Sequence, residues 1–83
     1  MTVENFFNLN LVAENQYIAL KVLGTNVNAV EFRYNRKDNV VDMYCDNYKD
    51  WNISHFTTEV IKQTNFEPKS YLIINLFRKT KGE

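Results

Sequence analysis

Period-2 alternation is the clearest pattern in the chain. Ile18, Leu20 and Val22 alternate with Tyr17, Ala19 and Lys21, which predicts a strand from Gln16 to Leu23 because successive strand side chains point to opposite faces. Gly24, Thr25 and Asn26 follow it, and Gly and Asn tolerate the positive φ of a tight turn. Val30, Phe32 and Tyr34 then alternate with Glu31, Arg33 and Asn35; beyond a polar connection, Val41, Met43 and Cys45 alternate with Asp42, Tyr44 and Asp46. These two runs read as a hairpin that buries Val30, Phe32, Tyr34, Val41, Met43 and Cys45.

The texture changes after Asp46. Ile53, Phe56, Val60 and Ile61 recur at helical spacing, predicting a helix capped by Asn52, with Trp51 and Phe56 as the two halves of a hydrophobic staple. That helix should stop near Thr64 or Asn65, because Pro68 disfavours helical geometry at Glu67. Tyr71 to Arg78 is apolar on both faces apart from Asn75 and reads as an interior strand. The first fourteen residues fit two patterns. Val3, Phe6, Phe7, Asn10 and Leu11 have helical spacing behind a Thr2 cap, whereas Phe7, Leu9 and Leu11 alternate with Asn8 and Asn10 as in a strand. We take the strand, from Phe6 to Val12. The predicted order is β-β-β-β-α-β, one small α+β domain over residues 1–83 with a mainly antiparallel sheet of about five strands and one helix on one face. Glu31, Arg33, Asp42, Tyr44 and Asp46 fall on the face left open.

Composition narrows the class. The chain has 83 residues, ten basic and ten acidic side chains, two Gly, one Pro and one Cys. A domain of this size buries only about 60% of its unfolded surface, so six Phe, five Tyr and Trp51 have to supply the packing. One Cys forms no intramolecular disulfide. Zero net charge removes any general attraction to phosphate. No basic, apolar export signal opens the chain, and its longest apolar stretch, Tyr71 to Phe77, falls short of the ~20 residues that span a bilayer. The expected location is cytoplasmic.

Candidate chemistry is sparse. His55 is the single histidine; a general base needs a nucleophile and an orienting group beside it, and a metal needs further ligands. A capping or solvent-facing role is predicted instead. Cys45 turns inward by its strand phase and reads as an inert thiol. The acids Asp38, Asp42, Asp46 and Asp50 do not make a calcium loop, because Trp51 stands where the loop needs Gly and Thr57 where it needs Glu. Gly24 and Gly82 are the two glycines, so a glycine-rich phosphate loop has nothing to be built from. No catalytic residue, cofactor or metal is predicted.

What remains is a surface. The sequence predicts a noncatalytic protein-interaction module anchored by Tyr17, Tyr44, Tyr48 and Trp51, with Asp42 and Asp46 beside them. Twelve Asn give the chain an AT-rich coding texture, which suggests a phage or mobile-element factor that modulates or inhibits a host protein in the host cytoplasm. The alternative is a small RNA- or DNA-binding protein using Arg33, Arg36, Lys37, Arg78, Lys79 and Lys81. Homodimerisation through a sheet edge or the open face would relieve the small core.

Overall fold

A computed structural model describes residues 1–62 and 67–79. The element order is α1 (Val3–Asn8), β1 (Tyr17–Val22), β2 (Val30–Arg33), α2 (Val40–Tyr44), β3 (Ile53–Ile61) and β4 (Lys69–Leu76). The strands form one four-stranded mixed sheet in the order β2-β1-β4-β3. The central pair, β1 and β4, is parallel and in register from Tyr17↔Tyr71 to Val22↔Leu76. β2 and β3 flank it, each antiparallel to its neighbour. The α+β class stands. Among the described residues the sheet has four strands rather than five, and two short helices replace the single one.

Three elements differ from the sequence reading. Residues Val3–Asn8 are helical, not extended, because Thr2 and Asn5 form a reciprocal capping box: Asn5 N–H donates to Thr2 Oγ1 at 3.2 Å and Thr2 N–H to Asn5 Oδ1 at 3.4 Å. This turn buries Val3, Phe6 and Phe7 together, whereas Leu9 and Leu11, which the strand reading would have buried, are 51% and 71% exposed.

Val40–Tyr44 is likewise a helix. Asn39 caps it by accepting from Asp42 N–H, and Met43 N–H returns to the Asn39 carbonyl at 2.9 Å. Val40, Val41 and Cys45 are therefore buried, while Met43, assigned to the hairpin's inner face, is 56% exposed. Ile53–Ile61 is a strand, not a helix. Asn52 acts through its backbone, its carbonyl accepting from Phe77 N–H at 3.0 Å. The two staple partners separate: Trp51 packs edge-on to Tyr48, and Phe56 lies 4.9 Å from the Phe6 ring. The predicted helix end at Thr64 or Asn65 lies outside the described residues.

The strands at 17–22 and 30–33 agree with the alternation, and the apolar run forms β4, which ends at Leu76 rather than Arg78 and leaves Phe77 exposed. Gly24 has φ +89, and Thr25 N–H and Oγ1 both donate to the Val22 carbonyl. The core lies on one face of the sheet. Ile18, Leu20, Phe32, Ile74 and Leu76 pack there against Val3, Phe6 and Phe7 of α1, Val40 and Val41 of α2, and Cys45. Ile74 is completely buried at the sheet centre. Ile74→Ala is expected to lower unfolding free energy by about 2–5 kcal/mol, and Val27→Ala, at a 72% exposed position, by no more than about 0.5 kcal/mol. Urea unfolding of the two variants side by side checks the contrast.

Candidate binding surfaces

The helices cover one face of the sheet, and the register defines what stands on the other. Arg33, Tyr17, Tyr71 and Glu59 form one row across all four strands. Glu31, Ala19, Ile73 and Thr57 form the next, followed by Lys21, Asn75 and His55. The two tyrosine rings meet at 5.4 Å on the parallel central strands, and Lys69 Nζ sits 5.1 Å from the centre of the Tyr17 ring. Ala19 and Ile73 are buried beneath the surrounding side chains, and Asn75 is held by donating to Thr57 Oγ1 at 3.0 Å. Partial desolvation, then the Glu31 carboxylate and Tyr17, push the Tyr71 hydroxyl above its usual pKa. The face thus has an aromatic and aliphatic centre with charges of both signs around it.

The residues singled out from sequence do not form one patch. Tyr17 stands on the uncovered face with Glu31 and Arg33. Tyr44, Asp42 and Asp46, expected on that face, belong instead to α2 and the turn after it. Tyr44 stacks on Phe32 at 4.9 Å, Asp42 accepts from Asn39 Nδ2, and Asp46 pairs with Lys49. Tyr48 and Trp51 pack against the core cluster. The basic set is dispersed as well. Arg33, Arg36 and Lys37 lie in and just beyond β2, near the Tyr17 level, while Arg78 and Lys79 follow the far end of β4. Lys79 is paired with Asp50 and holds that carboxyl below its ordinary pKa. Lys81 lies outside the described residues.

Potentially reactive groups are placed apart. His55 lies exposed on β3 rather than at a helix start, with Nδ1 2.9 Å from Ser54 Oγ, where the β3–β4 register shifts. Among the described residues no three His, Cys, Asp or Glu side chains gather as a metal site would require. A cleft of about 210 Å³ is lined by Trp51, Phe77, Arg78 and the Asp50–Lys79 pair, and another of about 130 Å³ by Phe7, Tyr34, Arg36 and Asp38. Both fall below the ~300 Å³ at which small-molecule sites begin. No helix among the described residues is long and apolar enough to cross a membrane.

The uncovered face was only partly readable in the sequence. Tyr71 and Lys69 reach Tyr17 through a non-local parallel pairing, which alternation within one segment cannot reveal. No protein-family model matches the chain, and neither a curated protein nor a solved structure is similar to it at a significant level.

Cys45 is buried, and desolvation pushes its thiol from 9.0 to about 12. The raised folded-state pKa means that its stabilising protonation is complete below the unfolded-state value. Stability is then lost as pH rises from about 9 towards about 12, because the unfolded chain ionises first. Urea unfolding across that range should show a steeper loss for the wild type than for Cys45→Ala. Equal slopes would contradict the inert, desolvated thiol.

Proposed function

We propose that the protein is a noncatalytic protein-binding module and that its contact surface is the uncovered sheet face centred on Tyr17 and Tyr71. The observation that carries this reading is the face's composition: paired rings on adjacent central strands, with Arg33, Lys69 and Lys21 interspersed with Glu31 and Glu59. Protein interfaces have such aromatic anchors inside a polar rim. Mixed charge favours a protein partner over a polyanion, because acidic side chains among the bases oppose phosphate binding. The runner-up nucleic-acid reading draws on bases split between the two ends of the sheet. The AT-rich coding texture is the sole support for a phage or mobile-element origin, and for a host protein as the partner that is inhibited.

Affinity capture tests this with wild type, Tyr17→Ser/Tyr71→Ser, Arg33→Glu and, on the opposite side, Tyr44→Ser, each checked for folding by circular dichroism. The expected result is a protein species lost with both face variants and kept with Tyr44→Ser. An unchanged capture profile would contradict the assignment. So would retention on single-stranded oligonucleotides that fades steeply with salt, which would establish the nucleic-acid reading instead.

A further inference from the structure

The two sheet edges are protected unequally. β2 is four residues long and its Glu31 and Arg33 alternate with Val30 and Phe32, so it is short and charged, as protected edges usually are. β3 is nine residues long. It contains no Pro or Lys, and among the described residues its outer side is covered only at the start, where Thr2 bridges Asn52 and Ile53 N–H donates to the Met1 carbonyl at 2.8 Å. From His55 to Ile61 the outer backbone groups have no strand beside them among the described residues. Unpaired strand edges of that kind take another strand.

The sequence of this segment selects the occupant. A two-fold axis perpendicular to the sheet pairs residues antiparallel and keeps each copy's faces aligned, so paired residues must share a face. An axis at Thr58 is the midpoint of the free stretch His55 to Ile61 and uses all of it. It places Phe56 opposite Val60 of the second copy, and Val60 opposite the second Phe56. These side chains are 44% and 58% exposed, on the core side of the sheet. Aromatic and β-branched residues are favourable cross-strand partners, and pairing them extends the apolar face of each small core. An axis at Thr57 would instead bring the second copy's Ile61 against Ile53, where Met1 already pairs.

We propose that β3 pairs with β3 of a second copy about a two-fold axis at Thr58, joining two four-stranded sheets into one continuous sheet. The inference concerns the edge rather than the tyrosine face and does not depend on the proposed partner there. The dimer leaves Tyr17 and Tyr71 open on both copies.

Light scattering over a concentration series up to millimolar tests association, and a cysteine at the axis tests register. The wild type should approach twice the monomer mass. Val60→Lys should move the midpoint to about tenfold higher concentration or beyond. Thr58→Cys should form an interchain disulfide under mild oxidation, because the two side chains face each other across the axis. Thr57→Cys, which faces Glu59 of the other copy, should cross-link far less. Buried Cys45 does not compete for oxidation. A wild type that stays monomeric throughout would overturn the proposal. A dimer insensitive to Val60→Lys, or cross-linked equally at 57 and 58, would also overturn it by placing association elsewhere. Neither result bears on the protein captured by the tyrosine face.

Discussion

The parallel pairing of β1 with β4 is the constraint from which the rest of the molecule follows. Parallel strands cannot be joined by a tight turn, so the chain between them travels through β2, α2 and β3 before β4 returns. β1 and β4 thereby become interior strands and the other two become edges. Interior position explains why Ala19 and Ile73 are buried although they point away from the helices. The same register brings Tyr17 level with Tyr71 and leaves β3 on the outside. The aromatic platform and the free edge are two consequences of one pairing.

Legibility followed element length and position. Tyr71 to Leu76 was recognisable as an interior strand because both of its faces are apolar, and Tyr17 to Val22 because its alternation runs through a complete strand. Val3–Asn8 and Val40–Tyr44 span less than two helical turns each. Periods of 2 and 3.6 are hard to separate over so few residues, and the local caps at Thr2 and Asn39 set the outcome. β3 misled for another reason. Ile53, Phe56, Val60 and Ile61 have helical spacing by coincidence, while Ile53, Thr57, Thr58, Val60 and Ile61 are all β-branched and fit a pleated strand. As an edge strand only partly covered by α1, it lacks the buried-and-exposed alternation that identifies a strand in sequence.

The binding-site reading inherited those errors. Asp42, Tyr44 and Asp46 were placed on the open face by the phase of a strand that is in fact α2 and its following turn, so they separate from Tyr17. Trp51 and Tyr48 turned out to hold each other beside the core. Glu31 and Arg33 kept their place because β2 was read in the correct phase. Among the described residues, helices cover one side of the sheet alone, and the small core leaves apolar side chains at 56 and 60 partly in water. In a domain of marginal size, such surface is where association contributes most.

Strand adjacency in solution bears most directly on this account. Through-space proton contacts between the backbones of Ala19 and Ile73, measured by nuclear magnetic resonance on the isotope-labelled protein, would establish β1 beside β4 in the stated register. The account predicts those contacts, with matching ones from Ile18 to Leu72 and from Leu20 to Ile74. Contacts from β1 to β3, or none between β1 and β4, would contradict it and remove both surfaces at once.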